Sequence, residues 1–293
     1  SQSKNGVIVM ILKKIFSILT LIFLISPSYA KDPFKTEDIY SLKDITFSDV
    51  TNDGNGVIFS TSQAESKFDS FKQILYFLDL EKGKKIKLLE SHGPKGMTFS
   101  SVKLSSNSKS IFFLSSGMRA SGEKNNQIWS LNLSNRIKKR LTDFEGDISD
   151  YDISRDGETI AFIGIKDKEE ESDEETPTPM VIDRYQFKRD YDGYLENERD
   201  HLFLFNTKSR KTEQITMGQR DHSFPSISPD GKYIAYVTKQ DDFDRHNNWD
   251  IFIKNIEDGS DAKQLTFHDG PDSAPDAGSR PQWSPDGKKI AYI

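Results

Sequence analysis

One ten-residue unit recurs almost unchanged: SPDGKYIAYV at Ser228–Val237 and SPDGKKIAYI at Ser284–Ile293. Looser copies are TNDGNGVIFS (Thr51–Ser60), SSNSKSIFFL (Ser105–Leu114) and SRDGETIAFI (Ser154–Ile163). The turn position falls at Gly54, Ser108, Gly157, Gly231 and Gly287, so successive copies lie 54, 49, 74 and 56 residues apart. A unit repeated at such spacing constrains the fold more than any composition does. Asp-Gly between apolar runs reads as a hairpin turn, because glycine accepts positive φ without a steric penalty. The run after it, Ile234-Ala235-Tyr236-Val237, is apolar at consecutive positions and predicts a strand buried on both faces. The small alanine at the centre of three copies would let a neighbouring sheet approach closely.

Each turn is followed by a second apolar element: ILYFLDL (Ile74–Leu80), IWSLNL (Ile128–Leu133), LFLFNT (Leu202–Thr207) and IFIKNI (Ile251–Ile256). A third closes the period: RLTDFEGD (Arg140–Asp147), QITMGQRD (Gln214–Asp221) and QLTFHDGPD (Gln264–Asp272). About four short strands per period, with no helical periodicity, predict an all-β β-propeller. The blades would run Asp44–Glu90, Thr98–Asp147, Ile148–Asp221 and His222–Asp272, with a fifth starting near Ala274. Residues 44–293 then form a partial propeller with an insertion at about 166–200, preceded by an N-terminal segment, 31–43. Such an arrangement leaves the faces of its first and last sheets open, an aggregation hazard.

Residues 1–30 have another purpose. Lys13 and Lys14 precede the apolar run Ile15–Ile25, and Ser28 and Ala30 are small residues at the −3 and −1 positions. This is the pattern of a secretory signal peptide cleaved after Ala30, with Met10 as the start and Lys31 as the first mature residue. An eleven-residue core falls short of the ~20 that span a bilayer. The expectation is a periplasmic or secreted protein that meets the membrane only through its signal peptide.

The net charge of −6 is concentrated in KDKEEESDEE (Lys166–Glu175), read as a solvated loop without the spaced ligands and turn glycine of a calcium site. The rest is near neutral, which argues against nucleic acid as a partner. With no cysteine, a disulfide framework, a thiol nucleophile and a cysteine-ligated zinc site are excluded. His92, His201, His222, His246 and His268 form no H-x-x-x-H or H-E-x-x-H pattern, and no G-x-S-x-G pentad is present. The expectation is no metal, no cofactor and no catalytic residue in this chain. His246 sits in the polar run Asp241–Ile251, read as a blade loop.

The informative stretch is VIDRYQFKRDYDGYLENERDHLFLFNT (Val181–Thr207). Arg184, Phe187, Lys188 and Asp190, then Gly193-Tyr194-Leu195, then Arg199 and His201-Leu202-Phe203 resemble the third-blade insertion of acylaminoacyl-peptidase-like members of the prolyl oligopeptidase family. The repeats resemble that family's N-terminal propeller and, less specifically, the TolB-type periplasmic propellers. The first resemblance implies a seven- or eight-bladed propeller ahead of a C-terminal α/β-hydrolase domain with a Ser-Asp-His triad. It implies release of an acylated residue or a dipeptide from short peptides, the propeller gating access. The chain would then stop before the hydrolase domain. Within it, Arg184, Tyr185, Lys188 and Arg199 are the candidate substrate-binding or domain-interface residues. The competing reading is a hairpin whose aromatics pack on the blade edge and whose charges face solvent. The alternative function is a non-enzymatic, TolB-like propeller binding an envelope protein.

Overall fold

The computed structural model describes residues 34–65, 70–91, 98–116, 125–166, 182, 184–189, 193–195, 198–240 and 244–293. The segment read as a signal peptide with its cleavage site before Lys31, His92 and the acidic residues after Lys166 lie outside them. Chain contacts separate two units, Ser1–Leu42 and Lys43–Ile293. In the first, Thr36–Ser41 forms a 3-10 turn, opened by the Lys35 N–H donating to the Asp38 carboxylate at 2.8 Å. No helix among the described residues is long and apolar enough to cross a membrane.

The second unit is built from four-stranded antiparallel sheets in simple up-and-down order. The first holds β1 (Asp44–Val50), β2 (Gly56–Glu65), β3 (Ser70–Asp79) and β4 (Lys84–Ser91). The second holds β5 (Ser100–Leu104), β6 (Ser110–Ser115), β7 (Gln127–Asn132) and β8 (Lys138–Arg140). The third starts with β9 (Gly146–Ile153) and β10 (Thr159–Lys166). A small hairpin follows, β11 (Lys188–Arg189) with β12 (Gly193–Tyr194), before β13 (His201–Asn206) and β14 (Thr212–Gln214) complete the sheet. The fourth holds β15 (His222–Ile227), β16 (Tyr233–Thr238), β17 (Asp250–Asn255) and β18 (Lys263–Gln264). The pair β19 (Gln282–Trp283) and β20 (Ile290–Ala291) repeats the opening of a sheet.

The repeated decapeptide makes the turn between first and second strands. In one copy the Ser228 hydroxyl donates to Asp230 at 2.6 Å and accepts from the Tyr233 N–H at 2.9 Å, while the Lys232 N–H donates to Asp230 at 3.1 Å. Ser154 with Asp156 and Ser284 with Asp286 reproduce the pattern. The Gly231 N–H donates to the Ser228 carbonyl at φ +74, and its equivalents have φ between +70 and +75. The odd copy is Ser108, held at φ +55 with a side chain. Left-handed backbone costs a non-glycine residue about 1–2 kcal/mol, partly offset by the unfolded-state entropy that glycine adds. Ser108→Gly is therefore expected to stabilise the sheet by about 0.5–1 kcal/mol, read as a raised denaturant midpoint with unchanged slope.

Consecutive apolar residues of the second strand point to opposite neighbours, as double burial requires. Ile234 and Tyr236 pack with Ala161, Ile163, Leu202 and Ile227 of the third and fourth sheets. Ala235 and Val237 face the other way, toward Trp249, Ala274, Trp283 and Ile290. Ile160 and Phe162 join Phe112, Leu114 and Ile128 of the second sheet, and Ile111 and Phe113 join Ile58, Leu75 and Leu89 of the first. The blades thus stack face to face, each supplying both walls of its interfaces. Between the second and third sheets, Phe162 and Phe203 stack and Phe144 meets both edge-on, with centroids 4.8–5.1 Å apart. Ile45 and Phe47 of the first sheet are 71% and 63% exposed among the described residues.

The closing elements are strands for only two or three residues, at Lys138–Arg140, Thr212–Gln214 and Lys263–Gln264. The cause is the threonine that follows. The Thr142, Thr216 and Thr266 hydroxyls accept the N–H of Ile128, Leu202 and Ile251, each at 2.9 Å. A side chain thereby replaces the next ladder bond, and the chain leaves the sheet for the following blade.

Candidate functional site

The first strands of the sheets converge on a cavity of about 460 Å³, lined by Asp49, Lys103, Asp152, Ser226, Arg280 and Gln282 among others. Asp49, Lys103, Asp152, Ser226 and Gln282 hold the same place in the repeat, two residues before the turn serine or threonine. Asp49 accepts the Leu104 N–H and Asp152 the Ile227 N–H, both at 2.8 Å, so each carboxylate ties its blade to another. Lys103 meets Asp152 at 2.6 Å, and burial pulls its ammonium below the ordinary lysine value despite that partner. Arg280 grips both oxygens of Asp150, at 2.5 and 2.7 Å. These charges are already paired across blades. Their role in the fold is to set blade register, and ion pairs of this kind add little net stability.

The second concave site lies on the other rim. Strands alternate in direction, so the hairpin of the third blade and the β16–β17 connection emerge on the rim opposite the repeated turns. Between them is a cleft of about 550 Å³. Beneath it, Asp244 receives Arg184 at 3.2 Å and Arg199 at 3.1 and 3.4 Å, and Arg199 also meets Asp221 at 3.2 Å. The Arg184, Arg199 and Asp244 side chains are 7%, 3% and 12% exposed. Burial alone would raise the Asp244 carboxyl; hydrogen bonds and charge from Arg199 and Arg184 outweigh it and hold the group below its usual value.

Of the four residues singled out in the sequence, the fold joins Arg184 and Arg199 on one carboxylate. Tyr185 and Lys188 stand apart from that network, exposed on the cleft wall. The Arg245 guanidinium lies 4.6 Å from the Tyr185 ring centre, and Lys188 Nζ is 5.5 Å from that of Tyr194. Phe187 stacks on Tyr194 at 6.4 Å. Asp244 and Arg245 were passed over as loop residues. Their partners are distant along the chain, Arg184 being 60 residues from Asp244, and no local spacing signals such a pairing.

No nucleophile–base–acid trio occurs among the described residues. Thr216 Oγ1 lies 3.4 Å from His201 Nδ1, and it already accepts the Leu202 N–H. His222 is buried, its Nδ1–H donating to the Asp200 carbonyl at 2.9 Å, and burial pushes it down to about 4. The described residues contain no group of three or more histidine or acidic side chains placed to hold a metal.

Comparison with known proteins places this geometry. No family model matches the chain. The uncharacterized peptidase YuxL of Bacillus subtilis (strain 168) is 25% identical over 227 residues, covering 74% of this chain and 33% of that protein. The acylaminoacyl peptidase of Pyrococcus horikoshii superposes with a TM-score of 0.60 at 18% identity, over 78% of this chain and 33% of its own. The fold is that of a β-propeller, shared with the propeller portion of that peptidase. TolB from Acinetobacter baumannii shares this propeller architecture with a TM-score of 0.53 at 20% identity, over 85% of this chain and 48% of its own. The chain spans about a third of the length of the curated relative it matches.

Proposed function

We propose that this chain is the gating propeller of an exported serine peptidase that releases an acylated residue or a dipeptide from short peptides. The triad and its α/β-hydrolase domain belong to the part of the protein outside these residues. The observation that carries the reading is the third-blade hairpin. Among the described residues it is a two-stranded hairpin added to the four-stranded sheet of the third blade, and a buried Arg184–Asp244–Arg199 network fastens it to the fourth blade. A hairpin whose charges merely met solvent would need no such anchor. It positions Tyr185 and Lys188 on a cleft that incoming peptide would pass, while the stacked blades exclude folded proteins. In the complete enzyme, the peptide acyl group passes to serine and then to water.

The whole gene product should hydrolyse acetyl-aminoacyl or dipeptidyl p-nitroanilides and lose that activity to a serine-directed phosphonate. The polypeptide Lys31–Ile293 alone should be inert. Turnover by the isolated segment, or none by the intact protein, contradicts the proposal. The TolB likeness supports a second reading, a non-enzymatic propeller that binds an envelope protein, which an inert intact protein would favour.

A further inference from the structure

Two buried carboxylates lie where the fourth blade meets the β19–β20 hairpin, and no lysine or arginine among the described residues pairs with either. Asp250 and Asp272 are 2% and 9% exposed. They take the places that His201 and His222 hold one blade earlier. The Thr266 hydroxyl donates to Asp250 at 3.4 Å, as Thr216 Oγ1 lies 3.4 Å from His201. The Asp272 N–H donates to the Trp249 carbonyl at 2.7 Å, as the His222 N–H does to that of Asp200. The two imidazole rings are 5.5 Å apart, so the repeat sets the two carboxyl groups on facing sides of the next seam. Burial and then the Asp272 charge raise the Asp250 carboxyl, against hydrogen bonds from Thr266 and Gln264 and the charge of His246.

Two atoms at this seam are left over. Asp272 Oδ2 and the Ser273 hydroxyl are buried without a hydrogen-bond partner, and Ser273 is wholly enclosed. Its N–H donates to the Ile293 carbonyl at 2.6 Å, which ties the same segment to the hairpin. Blade stacking does not require such a pair. Between the second and third blades the same two places hold Gln127 and Ile148, and the Gln127 amide is bonded to Thr142, Phe144 and Gly146. Buried carboxylates are costly unless a cation or hydrogen bonds compensate them, and a buried polar atom without a partner in the protein calls for one from outside it.

We infer that Asp250, Asp272 and Ser273 bind a divalent cation of the calcium type at this seam. Carboxylate and hydroxyl oxygens suit calcium or magnesium better than a transition metal, and water completes the shell. This departs from the sequence expectation of no metal, because two carboxylates 22 residues apart make no motif. The bound ion joins the fourth blade to the hairpin. The site stands independently of the peptidase reading.

The test is terbium luminescence excited through tryptophan, since Trp249 precedes Asp250. The target is the intact gene product after EDTA treatment and dialysis. Terbium should bind, and CaCl2 should displace it with a half-point of about 0.1–1 mM, the weak end of calcium sites, where ligand charges are few. KCl at matched ionic strength should not displace it. CaCl2 should also raise the unfolding midpoint. Asp250→Asn and Asp272→Asn should each weaken terbium binding by at least about tenfold. In EDTA both variants should melt at or above the parent temperature, because one of two like charges is gone. No terbium signal, no displacement by calcium, a signal that the variants retain, or variants that melt below the parent in EDTA overturns the inference.

Discussion

Asp244→Asn should destabilise the propeller by about 3 kcal/mol, near the lower end of the cost of breaking a buried ion pair. The asparagine keeps the shape of the side chain and removes the charge that two arginines share. Arg199 cannot escape: it precedes β13 and its side chain is 3% exposed. Arg184 belongs to the hairpin and can reach water if the hairpin lifts, which limits the loss. The effect should therefore appear twice, as a lower unfolding midpoint and as faster proteolysis within the hairpin. Adding Arg184→Met and Arg199→Met to Asp244→Asn should recover part of the stability, since the uncompensated charges are then gone. A midpoint within about 0.5 kcal/mol of the parent, the ordinary range for surface changes, would show that the network is a surface contact.

Acid should weaken the fold through His222 before the carboxylates titrate. In the folded chain burial holds this histidine down to about 4, with His201 and Arg220 adding repulsion and Asp221 opposing them. Unfolded, it returns to about 6.5. Between those values the unfolded chain takes up a proton that the folded chain refuses. The stabilisation is thus complete above about pH 6.5 and is lost as pH falls toward 4, by about 3 kcal/mol at most. His201, also lowered by burial, acts in the same direction. Asp250, raised by burial and by Asp272, acts in the opposite direction. His222→Gln keeps a donor for the Asp200 carbonyl and removes the titration. Its midpoint-versus-pH curve should be flatter than the parent's between pH 6.5 and 4.5, and parallel curves would show that His222 is not the source.

What could be read in advance follows from how local each interaction is. The Ser228–Asp230–Gly231 turn is closed by bonds spanning two to five residues, so its sequence signature is complete. Double burial of Ile234–Val237 was equally legible, because a strand between two sheets needs apolar residues on both faces. The early ends of the closing strands were not legible, because Thr142, Thr216 and Thr266 act through hydroxyl bonds that hydropathy does not register. At the candidate site, the density of arginine and aromatic residues marked the hairpin but not its anchor. Asp244 reaches Arg199 across 45 residues and Arg184 across 60, a pairing that exists only once the third and fourth blades stack. Asp49 and Asp152 left a fainter trace, since both stand two residues before the repeated turn.

The central claim is that this propeller serves a serine peptidase. Labelling the intact gene product with a fluorophosphonate, followed by peptide mapping, tests it most directly. The account predicts a polypeptide substantially longer than 293 residues that carries one labelled serine beyond Ile293 and loses acyl-peptide hydrolysis in step with labelling. An unlabelled protein, or a labelled serine inside the blades described above, would contradict it.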